Sequence, residues 1–370
     1  MARLGGARAD ASTPIDLRGE HVRDRPIMAG DPLNLIADAQ RDVAEATLRA
    51  AIGQAAVLDV TPISGGASGA ALYRIEAAGR RPLLLRVDGP ESPLLRRNPH
   101  RYTCLIAAAE AGIAPPVHHV DAAAGVAVTD FIAQQPLSAF PGGGAALAQA
   151  LGELVGRLQA STTFPPLIDY RDLLEDMLGK VHASRAFADG LLDDHLAQLA
   201  DLRARYNWRE DTARSSHNDP NPGNVLFDGR RLWLIDWESA YRNDPLIDLA
   251  ILADGLAPTP ELTERLLAGW LGRPPDPALR EKLNLTRRMT RLYYACFLIN
   301  AAASAGHPLL ESEIDAPDAE TIERDVASDE LAPGGAKAIH LLGRMYLEGF
   351  RSGRLDPRQQ AAADAVTGRP

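Results

Sequence analysis

The sequence predicts an α+β protein of two lobes, a small antiparallel sheet lobe followed by a larger helical lobe. Three observations carry this. Strand-like runs crowd residues 57–132 in a strand–strand–strand–helix–strand–strand order. Beyond them, leucines recur at helical spacing, as in Leu147, Leu151, Leu154 and Leu158, or Leu192, Leu196, Leu199 and Leu202. One short island, residues 215–238, interrupts the helical part with loop residues and a hairpin pattern.

Bulk properties set the limits. A chain of 370 residues is long enough for two coupled lobes, and 46% hydrophobic with 24% charged residues is ordinary globular composition. A formal net charge of -10 argues against a sequence-wide nucleic-acid binder, which needs clustered Lys and Arg. The two cysteines, Cys104 and Cys296, read as small buried hydrophobes and make no disulfide framework, which points to a reducing compartment. No stretch approaches the ~20 apolar residues of a membrane span. Residues 1–32 interleave arginines with acids, lack the apolar core of a secretory signal, and read as a disordered leader. The expectation is a soluble cytoplasmic protein with no nucleic-acid or membrane partner. Nothing in the sequence specifies an oligomeric state.

The elements follow in order. Leu35, Ile36, Val43, Ala44, Leu48 and Ile52 recur at helical spacing over 33–52. Residues 57–77 read as two strands around a small-residue turn, Ser64-Gly65-Gly66-Ala67-Ser68-Gly69. Leu83-Leu84-Leu85-Arg86-Val87 is a third strand, too apolar for a solvent edge, and Gly89-Pro90 ends it. A helix over 99–111 is stopped by Gly112 and Pro115, and strands follow at 117–120 and 126–132. This gives a first lobe of residues 33–132, a small antiparallel sheet with one helix packed on it. Residues 133–355 form the helical lobe, with starts at Thr259 before Pro260 and Asp276 before Pro277. The helix after Asp276 runs to about Ala303. Residues 311–330 are dense in acids with Arg324 as the sole base, and residues 356–370 read as a flexible, frayed tail.

Within the island, Val225 to Phe227 and Leu232 to Ile235 flank Asp228-Gly229, a strong hairpin signal. The hairpin carries Asn224 just before one strand and Asp236 at the end of the other, so both emerge on one side, facing Asp219 on the loop leading in. That set suits phosphoryl transfer. A carboxylate near the acceptor takes the hydroxyl proton, while a carboxylate and a carboxamide hold Mg²⁺ through oxygen. Alone, Asp219 reads as a turn former in a Pro- and Asn-rich loop; Asp219, Asn224 and Asp236 together have the spacing of a kinase catalytic loop and metal-binding acid.

The island resembles the aminoglycoside phosphotransferase and choline/ethanolamine kinase superfamily in its His217-Asn218-Asp219, its Asn224 and its Ile235-Asp236-Trp237-Glu238. The resemblance implies a protein-kinase-like fold and an ATP-dependent small-molecule kinase. It implies Asp219 as catalytic base, Asn224 and Asp236 as Mg²⁺ ligands, and Glu238 as a second-metal or supporting carboxylate. It also implies that His217 orients the loop and that Asp248 accepts structural hydrogen bonds. Trp237 reads as core.

On the nucleotide side, Gly66, Ser68 and Gly69 of the small-residue turn are candidate phosphate contacts, since the backbone must approach closely there. Arg86, in an otherwise apolar strand, needs an anionic partner; the resemblance makes that partner the α/β-phosphates of ATP and makes Asp130 to Ile132 the adenine-reading hinge. One departure stands out. The resemblance places a Glu on the next helix to pair with the strand base, and that position holds Arg101.

The acceptor is a small-molecule hydroxyl. Tyr241, Trp270, Tyr293, Tyr294 and Phe297 offer an aromatic cage for a quaternary ammonium, or simply core. Residues 311–330 offer carboxylates for a polycation, or a solvated surface. The leading expectation is a choline/ethanolamine-like kinase, against an aminoglycoside, other amino-alcohol or sugar kinase. The alternative of another class is a nucleotide-binding pseudokinase.

Overall fold

Alternating burial along the strand runs builds one five-stranded antiparallel sheet, seen in a computed structural model that describes residues 32–63, 70–88, 98–206, 209–306 and 311–367. Its strands are β1 (Val57–Ile63), β2 (Ala71–Ala77), β3 (Leu83–Val87), β4 (Val117–Asp121) and β5 (Val126–Asp130), in the order β1-β2-β3-β5-β4. The apolar β3 is central, flanked by β2 and β5, as its composition requires. Leu83, Leu85 and Val87 are buried in one apolar cluster with Ala44, Leu48 and Ile52 of α1 (Asp38–Ile52). Period-two alternation turns Leu84 and Arg86 to the opposite face.

The helix packed on the sheet is therefore α1, and not the one that follows β3. That second helix, α2 (Arg101–Glu110), buries its small residues Cys104 and Ala108 in the apolar cluster of the helical lobe. The proposed leader lies outside the described residues except for Pro32, and so do Gly66, Ser68 and Gly69.

The helical lobe contains α3 (Gly143–Gln159), α4 (Tyr170–Ala183), α5 (Asp193–Arg205), α6 (Leu246–Gly255), α7 (Pro260–Leu271), α8 (Pro277–Ser304), α9 (Ala319–Ala327), α10 (Ala336–Ser352) and α11 (Pro357–Thr367). α7 and α8 start as their sequences predict: the Thr259 and Asp276 side chains accept from the amides of Leu262 and Leu279, with proline in the first turn. Arg291 of α8 is buried and donates from Nε to Asp254 of α6 at 2.8 Å, joining the two helices. The stretch expected as a frayed tail is helical instead over α11. Proline opens it, the run Gln-Gln-Ala-Ala-Ala favours helix, and the Gln359 amide donates to the Pro317 carbonyl at 2.5 Å. Among the described residues no helix is long and apolar enough to cross a membrane.

α3 and α7 pack backbone to backbone because each places a glycine at the crossing. A Cβ on Gly152 would overlap the Leu266 carbonyl, and one on Gly269 would overlap the Gln149 carbonyl. Neither neighbour is a flexible side-chain end, so the helices themselves would have to separate. Gly152→Ala is expected to lower unfolding stability by about 1–3 kcal/mol, the usual penalty of overpacking, as read from urea unfolding midpoints.

Candidate active site

The island folds around a hairpin. β7 (Val225–Phe227) and β8 (Leu232–Leu234) pair in the register Val225↔Leu234, Leu226↔Trp233, Phe227↔Leu232. Gly229 takes φ 87° in the turn, and Asp228 Oδ1 accepts from the amides of Arg230 and Arg231 at 2.8 Å each. Past the strand ends, the Ile235 amide donates to the Asn224 carbonyl at 3.0 Å. That bond sets Asn224 beside the residue preceding Asp236, as the sequence predicts.

The loop before the hairpin leaves β6 (Arg214–Ser216), which pairs with β9 (Tyr241–Asn243). It is held by buried polar groups. Asp248 is fully buried at the start of α6 and accepts from the His217 amide at 3.0 Å and the Asn218 amide at 2.7 Å. Burial pushes its pKa up to about 7 against the pull of those two bonds. The Asn218 side chain donates to the Ser239 carbonyl at 2.9 Å and accepts from Asn243 at 2.7 Å. His217, equally buried, donates from Nε2 to the Ile235 carbonyl at 2.8 Å and lies against the Trp237 ring. His217 thus ties the loop that carries Asp219 to the end of β8, and Trp237 is core.

Asp219 emerges from this scaffold partly exposed. Its Oδ1 accepts from Asn221 Nδ2 at 2.9 Å and from the Tyr294 hydroxyl, and its Oδ2 from Asn224 Nδ2 at 3.3 Å. Because the Asn224 amide nitrogen also donates to the Asp219 carbonyl at 2.9 Å, its side-chain oxygen is left for another partner. Asp236 sits at φ 65° with its side chain 34% exposed. Loss of water raises its pKa, Arg86 opposes the rise and Asp88 adds to it.

Arg86 reaches this group from the sheet. Its Nε lies 3.1 Å from Asp88 Oδ1, its Nη1 3.5 Å from Asp236 Oδ1, and its Nη2 pairs with Glu238. Arg86 meets Asp236, the Ile235 amide beside it bonds to the Asn224 carbonyl, and Asn224 bonds to Asp219, so the four are linked in series. Asn224 and Asp236 contribute the hard oxygen donors that suit Mg²⁺. Glu238, expected at the metal, is paired with Arg86. Among the described residues no three His, Cys, Asp or Glu side chains converge as a metal cage.

At the hinge, the amides of Asp130 and Phe131 donate within the first lobe, to the carbonyls of Pro116 and Pro82, both at 2.9 Å. The Asp130 carboxylate pairs with His118 at 2.6 Å. Among the aromatic candidates, Tyr241 is buried in β9 and so serves no cage, while Trp270 donates from Nε1 to Gln159 at 2.9 Å. Tyr293 and Phe297 stack with centroids 6.3 Å apart, next to Tyr294. Sequence reasoning missed Asn98, Asp88 and the place of Tyr294 on Asp219. Arg101 was noticed only as an anomaly. Asp88, an acid two residues after the strand arginine and just past the strand end, was the one readable signal.

Residues 59–283 match the model of the phosphotransferase enzyme family (APH). The structure is similar to that of a choline/ethanolamine kinase family protein from Mesorhizobium loti, with a TM-score of 0.58 and 22% identity, covering 87% of this chain and 99% of that one. A choline kinase from Streptococcus pneumoniae gives 0.54 at 15% identity, covering 72% and 92%. A spectinomycin phosphotransferase, solved with ADP and spectinomycin, gives 0.52 at 13% identity, covering 82% and 98%. At these identities the likeness establishes the two-lobed, protein-kinase-like fold. No curated protein matches the chain.

The buried His217 makes a pH test of the loop. Its ring titrates near 6.5 in the unfolded chain, and burial lowers it to about 4 in the folded one. Between those values the unfolded chain binds more protons, so this group makes stability rise with pH. In His217→Gln that contribution disappears. The wild-type advantage in unfolding free energy is expected to grow by up to about 3 kcal/mol from pH 4 to 6.5 and then level off, as measured by denaturant titration at each pH.

Proposed function

Because the chain belongs to the phosphotransferase enzyme family, we propose that it transfers the γ-phosphoryl group of ATP to a hydroxyl of a small amino alcohol of the choline or ethanolamine type. The observation that carries this reading is the partly exposed Asp219 carboxylate, oriented by Asn221, Asn224 and Tyr294 and linked through Asn224 to the segment that ends in Asp236. Asp219 accepts the proton of the acceptor hydroxyl. The acceptor oxygen bonds to the γ-phosphorus as the bond to the β,γ-bridging oxygen breaks, and ADP leaves with that oxygen. Arg86 contacts the α/β-phosphates. Asn224 and Asp236 would hold Mg²⁺, which when bound neutralises triphosphate charge. Glu238 reaches that ion only by exchanging Arg86 for it. We assign residues 33–132 to nucleotide binding, with Asp130 and Ile132 facing adenine through their backbone, and residues 133–355 to catalysis and the acceptor.

One observation favours an amino alcohol. Tyr293 and Phe297 lie along the outer side of α8, and Tyr293 also stacks on Tyr170 at 5.9 Å, so an aromatic surface adjoins the Tyr294 that touches the base. Such a surface suits an organic ammonium. Within the acidic stretch Asp318 caps α9, Asp315 pairs with Arg351 at 2.7 Å and Glu311 lies 3.8 Å from both His340 and Arg344, whereas Glu313, Glu320, Glu323, Asp329 and Glu330 are exposed. Both cysteines are free and buried, which supports a reducing compartment, and we place the chain in the cytoplasm.

The test is turnover of ATP with Mg²⁺ over a panel of choline, ethanolamine, kanamycin and simple sugars. Choline or ethanolamine is expected to give the highest kcat/KM, and Asp219→Ala to cut kcat by about 10²–10⁴-fold, the usual worth of a general base. Turnover unaffected by that substitution contradicts the assignment.

A further inference from the structure

Arg101, where a glutamate was expected, leaves open what orients the strand arginine. Arg86 bonds to Asp88 through Nε at 3.1 Å. A guanidinium is planar, so fixing Nε fixes the direction of both Nη groups, and here they face Asp236 and Glu238 in the cleft. The Asp88 side chain is wholly buried, and its amide donates to the Gly125 carbonyl at 2.8 Å. Its second oxygen accepts from Arg101 Nη2 at 2.9 Å and from the Tyr102 hydroxyl at 3.0 Å. Arg101 is itself buried, with its guanidinium over the Tyr102 ring at 4.4 Å.

We propose that Asp88 and Arg101 are positioning residues for Arg86, an ion-pair relay in which the strand supplies the acid and the helix the second cation. This rests on Arg86 being the phosphate contact. A buried carboxylate between two arginines is compensated from both sides; remove one cation and the carboxylate must turn or gain a proton. The relay also keeps register with the metal segment. Asn98, just before α2, donates from Nδ2 to the carbonyls of Glu238 and Ala240 at 2.9 and 2.8 Å, and the Cys104 thiol lies 3.3 Å from the Ala240 carbonyl. α2 thus grips the 238–240 segment with one set of groups and Asp88 with another, so Arg86 and Asp236 are set against each other through this helix.

Calorimetric titration of the full chain with ATP and Mg²⁺, and separately with adenosine, tests this without an acceptor. Arg86→Met is expected to weaken ATP binding and spare adenosine; if it leaves ATP affinity unchanged, the reading of Arg86 falls. Given that effect, Asp88→Asn and Arg101→Met are expected to weaken ATP by about tenfold, with adenosine unchanged, and Arg101→Lys to stay within about threefold of wild type. Wild-type ATP affinity in folded Asp88→Asn or Arg101→Met overturns the relay. So does equal loss of ATP and adenosine binding, which marks a purely structural role. Should Asp88→Asn fail to fold, the two Arg101 variants decide.

Discussion

A guanidinium on the central strand of a packed sheet has to be matched by carboxylates, and the cleft is arranged around that requirement. Arg86 faces away from the α1 core, where it meets Asp88 on its own strand end and Asp236 and Glu238 from the other lobe. With Arg101 completing the set, two cations face three carboxylates in a mostly buried cluster. The cluster is held across the lobes by side chains rather than by a shared sheet.

The loop that carries Asp219 answers a different constraint. A loop carrying an open carboxylate has many backbone groups to satisfy, and here buried side chains take that part: Asp248 receives two amides, Asn218 bridges to Ser239 and Asn243, and His217 reaches the end of β8. Asn218 and Asp236 both adopt positive φ, at 63° and 65°. Asn and Asp tolerate that region better than other side chains, and these two flank the residues that face the cleft.

Much of this was legible because its signals are local. The Asp228-Gly229 turn between two apolar runs specified the hairpin and so the placement of Asn224 against Asp236. The caps at Thr259 and Asp276 specified where two helices start, and the apolar run of β3 placed it inside the sheet. What escaped was long-range. Asp88 meets Arg101 thirteen positions away, and Tyr294 meets Asp219 seventy-five away. The helical spacing of Tyr293, Tyr294 and Phe297 left a cage and a core face both open, and did not say that one hydroxyl would lie on Asp219. Which helix covers the sheet was misassigned for the same reason: α1 and α2 are both short and amphipathic, and only packing decides between them.

The central claim is that oxygens from one loop and one hairpin, with an arginine from the sheet, converge on a metal-bound triphosphate. A crystal structure with Mg²⁺ and a non-hydrolysable ATP analogue tests it most directly. The account predicts metal–oxygen distances of about 2.0–2.1 Å to Asn224 and Asp236, with Arg86 on the α- or β-phosphate. A metal held by neither side chain, or phosphates bound away from Arg86, would contradict it.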